Sequence, residues 1–326
     1  MKTYSQKCKE FAKDKFTVPF RNGKNKNYNT WKVSWGHIDM EIWRVWKEYN
    51  TMGEGVKVAV LDTGVFDTDN DLFSRVNHDL SASIVGNGLL DGPSSHGTFS
   101  AGVIGAGGSH VKNVFGVAPK CELIVYKVSK GAFYVPDVVQ ALEKAMEADA
   151  KIISMSFSVD DHDEIKKRLA TCRERGIILV AAIGNAGKNE SKFPASAPEC
   201  ISVGAYQIDD EHGNIIERTI NPMSNRHHTL CVLCPGKNIL TTSPNENTAF
   251  HQNTSAATAF MAGLMALVVS ATDKAGIMVA QPLLMNAFAQ DGVCEHIGPN
   301  TETRTENEGF GIINPLKLIS YLKTYN

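Results

Sequence analysis

The sequence predicts an α/β fold: a doubly wound, mostly parallel sheet with helices on both faces. Two observations predict it. Between residues 56 and 205, short β-branched apolar runs alternate with stretches whose apolar residues recur at helical spacing, the pattern of a parallel sheet covered on both sides. Two of those runs also end abruptly in polar or glycine-containing turns, at Asp62-Thr63-Gly64 and at Gly184-Asn185-Ala186-Gly187. Ligands in such sheets gather beyond the carboxyl ends of the strands, so Asp62 and Asn185 fall on one rim.

Taken in order, residues 1–30 are polar, and Arg21-Asn22-Gly23-Lys24-Asn25-Lys26-Asn27 reads as loop or disorder. The organisation expected is an N-terminal arm, 1–34, and one folded domain, 35–326. From Trp35 the apolar content rises through Ile38, Met40, Ile42, Trp43, Val45 and Trp46, which predicts a short helix packed on the body. A glycine-containing break at 51–55 precedes a buried strand at 56–61. The small residues of 94–105 suit a closely packed helix. Then come a strand at 122–128, a helix at 137–148, a strand at 151–157, a charged amphipathic helix at 160–175 stopped by Gly176, and apolar runs at 177–183 and 200–205. Last, a small-residue turn at 253–263 opens into the apolar run 264–269, predicting a buried helix with Ser255 in its first turn. No internal repeat is present.

Composition bounds the function. The 326 residues are 43% apolar with a net charge of −2, enough for a large core and too near neutral for a chain devoted to nucleic acid or an anionic membrane. No run of eighteen apolar residues appears, so no membrane span is expected. The first residues lack the apolar stretch of a secretory signal; with Met1 as the native start the expected location is cytoplasmic, and with a start further upstream it is secreted. Seven scattered cysteines fit reduced core thiols better than a disulfide framework, and Cys231 and Cys234, with no second pair, read as packed thiols.

Three residues offer activated-serine chemistry: Asp62 at a strand end, and His96 and Ser255 at helix starts. A serine nucleophile needs a base near neutral pKa, and that base needs a buried carboxylate to hold one tautomer. A helix start adds unpaired N–H groups and a positive dipole end, which favour developing negative charge. Each residue alone has an ordinary explanation as a turn former or helix cap.

Asp62-Thr63-Gly64, His96-Gly97-Thr98 and Thr254-Ser255-x-Ala257 resemble, in that order, the three signature blocks of the subtilisin-like serine proteases. Phe115-Gly116-Val117-Ala118-Pro119, Phe193-Pro194-Ala195, Cys234-Pro235-Gly236 and Gly309-Phe310-Gly311-Ile312-Ile313-Asn314-Pro315 are similar to further family segments, so the likeness covers about 35–320. It implies a subtilisin-like fold and a serine endopeptidase acting through an acyl-enzyme on Ser255, with His96 as base, Asp62 orienting it and Asn185 as oxyanion donor. It also implies a polypeptide substrate bound as an extended strand. Ser156, Phe157 and Ser158 would form one edge and pocket wall, Ala182 and Gly184 the floor, and Lys130, Gly131 and Ala132 the opposite edge. The neutral lining predicts an uncharged side chain in the primary pocket.

The sequence departs from the family at Asn253, usually glycine, at Ala259 and Phe260, often proline and histidine, and at Ser158, a frequent glycine. These departures keep two alternatives open: a subtilase-derived peptide ligase or macrocyclase, and a catalytically silent peptide-binding fold. No cofactor is required for the chemistry. Asp71 resembles one ligand of a family calcium site, but the loop 107–113 offers no acid and the acids at 67, 69 and 71 suit solvated turns. Intracellular members carry a short N-terminal extension that blocks the cleft. Phe16-Thr17-Val18-Pro19-Phe20 faintly resembles it, which leaves two readings open: a segment held in or near the active site until removed, or a strand tethered on the surface.

Overall fold

A computed structural model of the chain describes residues 4–13, 17–19, 25–27, 32–66, 72–86, 88–92, 94–108, 114–211, 214–244, 247–298 and 302–325. It opens with helix α1 (Tyr4–Lys13) and an antiparallel pair, β1 (Thr17–Pro19) and β2 (Asn25–Asn27), in a region that reads as polar, with β2 inside the stretch 21–27 that reads as loop or disorder. A helix of ten residues is marginal alone, and this one is held by tertiary contacts. Phe11 meets Trp43 edge-on with centroids 6.1 Å apart, and the buried Lys7 donates to the Asp39 carbonyl and pairs with its carboxylate at 3.8 Å. The single helix expected from Trp35 is two, α2 (Trp35–Asp39) and α3 (Ile42–Glu48), separated by Glu41 in the left-handed region at φ 53°.

The body follows with β3 (Lys57–Asp62), β4 (Ala82–Ser83), α4 (His96–Gly105), β5 (Glu122–Lys127), α5 (Val135–Glu147), β6 (Ile152–Met155), α6 (Asp163–Glu174), β7 (Ile178–Ala182) and β8 (Cys200–Glu211). Then come β9 (Asn214–Ile220), β10 (Val232–Pro235), β11 (Ile239–Ser243), β12 (Asn247–His251), α7 (Asn253–Asp273), α8 (Gln281–Phe288), β13 (Cys294–Glu295), β14 (Ile312–Ile313) and α9 (Pro315–Leu322). The main sheet runs β13-β14-β10-β8-β7-β6-β3-β5-β4, with β9 on β8. Its pairs are parallel except β13 on β14 and β9 on β8. The doubly wound, mostly parallel sheet is therefore as expected. The hairpins β8–β9 and β11–β12 are additions that no clear alternation in the sequence announces.

Strand β3 lies between β5 and β6, the strands that follow it in the main sheet on opposite sides. This is where strand order reverses and a cleft opens at the carboxyl ends. Its side chains alternate between two cores: Val58 and Val60 join the cluster containing α4 and α7, whereas Ala59 and Leu61 join the one containing α5 and α6. Helix α7 is buried from Thr254 to Thr272, which explains why it is apolar all round. It is long and apolar enough to cross a bilayer, but it lies wholly inside the protein.

Candidate active site

Asp62 is the last residue of β3 and is fully buried. Its Oδ1 accepts from the Thr63 N–H at 2.8 Å and lies 2.7 Å from His96 Nδ1. His96 is the first residue of α4, delivered by a turn in which Ser95 takes φ 54°. The approach of these elements depends on Gly97, where a Cβ would stand 2.2 Å from the Gly64 carbonyl oxygen. Asp91 ties the same turns together. Its Oδ1 accepts from the Thr63 hydroxyl at 2.5 Å, and its Oδ2 from the Thr98 N–H at 2.7 Å and hydroxyl at 2.6 Å, while Thr63 Oγ1 accepts from the Gly97 N–H at 2.9 Å.

The electrostatics follow from this packing. Burial alone would raise the Asp62 pKa, but the neighbouring His96 charge and hydrogen bond, with the Thr63 N–H, hold it below the ordinary 3.8. Burial opposes charge on His96 too, yet Asp62, and to a lesser degree Asp91, lift its pKa above 6.5. Burial raises the Asp91 carboxyl, against the hydrogen bonds from Thr63 and Thr98.

Ser255 stands in the first turn of α7, 9% exposed. Its Oγ donates to the Ser156 carbonyl at 3.1 Å, and Ser156 Oγ donates back to the Ser255 carbonyl at 3.1 Å. Among the described residues no Ser255–His96 hydrogen bond is present. Asn253 adopts φ 61°, the left-handed conformation that glycine takes most easily and asparagine tolerates, and its N–H donates to the Gly236 carbonyl at 2.6 Å.

Asn185 lies just beyond β7, exposed. Its Oδ1 accepts from the Thr254 N–H at 3.0 Å and hydroxyl at 2.7 Å. With the oxygen so occupied, the Nδ2 donor is left without a protein partner among the described residues, at the entrance of the helix that carries Ser255. The loop is braced by the buried Asn225, whose Oδ1 accepts from the Ala186 N–H at 2.8 Å and whose own N–H donates to the Gly184 carbonyl at 3.0 Å.

The structure thus brings Asp62 to His96, Asn185 to the residue before Ser255, and Ser156 to Ser255. Lys130, Gly131, Ala132 and Ser158 are exposed, Gly184 is half-buried at φ 117°, and Ala182 is buried. Phe157, expected in the pocket wall, is buried and stacks on Phe133 with centroids 4.2 Å apart; the ring links the two segments expected to flank the substrate. Asp71, residues 109–113 of the following loop, and both Phe16 and Phe20 lie outside the described residues. All seven cysteines are free, and burial raises the thiol pKa of both Cys231 and Cys234. Sequence reading missed Asp91, Asn225 and His251. The nearest signals were an acid five residues before His96 and a histidine four residues before Ser255.

The sequence profile described as "Subtilase family" matches residues 53–311. The chain belongs to the subtilase family. It is 32% identical over 239 residues to the intracellular serine protease of Paenibacillus polymyxa, covering 69% of each chain. To the major intracellular serine protease of Bacillus subtilis (strain 168) it is 30% identical over 230 residues, 67% of this chain and 69% of that one. Among solved structures it resembles the prenylagaramide maturation protease PagA, with a TM-score of 0.67 and 27% identity over 86% of this chain and 98% of that one. The protein is therefore a subtilisin-like serine protease, and its substrate is polypeptide. Within the subtilase framework, the polar groups described above collect where the carboxyl ends of β3, β6 and β7 meet the start of α7.

Proposed function

We propose that this subtilase is an endopeptidase in which Ser255 is the nucleophile, His96 the general base and then acid, Asp62 the orienting carboxylate and Asn185 an oxyanion donor. The observation that carries the reading is the 2.7 Å contact between His96 Nδ1 and buried Asp62, which leaves Nε2 as the nitrogen available to a serine proton. The Ser255 hydroxyl turns from the Ser156 carbonyl to His96 Nε2. Its proton passes to Nε2 as Oγ bonds the scissile carbonyl carbon, and the charge on the carbonyl oxygen is met by Asn185 Nδ2 and the Ser255 N–H. As the C–N bond breaks, the amine takes that proton. Water then adds to the acyl carbon, giving a proton to His96, which returns it to Ser255 Oγ as the acid leaves.

The substrate lies extended between 130–132 and 156–158, with an uncharged side chain in the primary pocket. Likeness to two proteases named intracellular supports a cytoplasmic location. Likeness to a maturation protease across 98% of its length supports, as a second reading, cutting of a defined precursor peptide rather than general degradation. Intact-mass labelling with a fluorophosphonate, on wild type and on Ser255→Ala, tests the first reading. Wild type gains one adduct and Ser255→Ala none; an unlabelled wild type or a labelled alanine variant refutes it. Peptide product masses one water below the hydrolysis product would identify a ligase instead.

A further inference from the structure

We infer that His251 is a positioning residue that holds the His96 ring and ties its helix to the strand leading to Ser255. The inference rests on the reading of His96 and Ser255 given above. His251 is the last residue of β12 and is 5% exposed. Its ring stands edge-to-face against His96, with centroids 5.1 Å apart and planes at 82°. Its Nε2 pairs with Ser100 Oγ at 3.2 Å. Ser100 sits four residues after His96 on α4, one turn along the same face. His251 therefore touches α4 at two levels, at the base itself and one turn below it. The chain beyond it reaches Ser255 in four residues.

This contact supplies what Asp62 cannot. One hydrogen bond at Nδ1 fixes that nitrogen but leaves the imidazole free to swing about the contact, and such a swing redirects Nε2. A second ring packed at 82° blocks the swing. The charged and titratable groups facing this pair are Asp62 from β3 and Asp91 from the loop before α4. Burial, together with the neighbouring His96, pushes His251 down to about 3, so the clamp is neutral wherever His96 works and acts by packing rather than by charge. Because burial is also what most opposes the His96 imidazolium, opening this side of the ring to water shifts the titration of His96 upward.

The test compares His251→Ala, His251→Gln and Ser100→Ala with wild type, using Ser255→Ala as the control for the underlying chemistry. In each variant kcat and the rate of fluorophosphonate labelling are measured with KM, the pH profile and the thermal midpoint. His251→Ala is expected to lower kcat and labelling about tenfold or more, a fraction of the ~100-fold cost of a 1 Å misplacement. KM stays within about twofold, and the acid limb of the profile moves to higher pH. Ser100→Ala falls in the same direction by less, and Ser100→Ala combined with His251→Ala falls no further than His251→Ala alone. His251→Gln, which restores a partner for Ser100, recovers part of the loss. Unchanged kcat and an unmoved acid limb in both His251→Ala and Ser100→Ala, with only the thermal midpoint lowered, would make His251 an ordinary core residue and overturn the inference. Absence of Ser255-dependent labelling in wild type would overturn the proposed chemistry instead, a different result from the same experiment.

Discussion

Gly97→Ala tests how closely the base and its carboxylate are held. Gly97 follows His96 and packs against the turn that follows Asp62, where an added Cβ would meet the Gly64 carbonyl oxygen at 2.2 Å, the Gly64 nitrogen at 2.9 Å and the Thr63 nitrogen at 3.1 Å. Ordinary contact begins at 3.4 Å, so the shortest approach is about 1.2 Å too close, and every obstructing atom is backbone. The start of α4 must therefore move away from β3 by about 1 Å, carrying His96 off Asp62. A misplacement of that size costs about 100-fold in rate, and the overpacking costs about 1–3 kcal/mol of stability. Single-turnover labelling by a fluorophosphonate, run beside kcat and thermal melting, separates the two effects. Gly92→Ala is the control, since nothing lies within 4 Å of its added Cβ and its φ is not in the left-handed region. A Gly97→Ala enzyme that stays folded and labels at the wild-type rate would refute the idea that this contact sets the His96–Asp62 geometry.

Five further outcomes are expected. Asp62→Asn keeps the shape but not the charge at the 2.7 Å contact with His96, so kcat falls by about 10⁴ with little change in KM, measured on a peptide substrate. Activity in wild type rises with pH through a midpoint above 6.5, because only neutral His96 accepts the serine proton and its pKa is raised above that value; Asp62→Asn moves the midpoint down. The same pair links stability to pH with opposite signs. The contribution from His96 is complete below pH 6.5 and fades as pH rises through its folded pKa, whereas that from Asp62, lowered below 3.8, holds above 3.8 and is lost as pH falls through its folded value, a pattern that urea melts across pH would follow. Asn185→Ala lowers kcat by about 10²–10³, a range established on a subtilisin's own oxyanion asparagine, with KM near wild type. Asn253→Ala, at φ 61°, loses about 1 kcal/mol in chemical denaturation, and Asn253→Gly does not.

The sequence by itself determined the class of sheet and the family, and it named the candidate reacting groups. Those features are encoded locally: β-branched runs such as 56–61, short and bounded by turn residues, favour buried strands, and the polar residues ending them mark the rim. Asp62, His96 and Ser255 each stand at an element's end beside small residues, because a side chain aimed into a cleft needs a backbone that can come close, as Gly97 does. The order of these blocks carried the family likeness without any coordinate. Local signals failed where stability comes from a distant partner. Helix α1 is held where Phe11 and Lys7 find Trp43 and Asp39, although its sequence reads only as polar. The stacking of Phe157 on Phe133 is likewise visible only in the fold. The structure alone decided which groups support the reacting ones. Asp91 bonds Thr63 and Thr98, Asn225 braces the loop of Asn185, and the Ser156 carbonyl accepts the hydrogen bond of the Ser255 hydroxyl. Apart from the short-range Asp91–Thr98 pair, each is a hydrogen bond between segments 28 or more residues apart in the chain, so no short window of sequence contains both partners. His251 is the sharpest case: four residues from Ser255 in the chain, it owes its role to the ring of His96, 155 positions away.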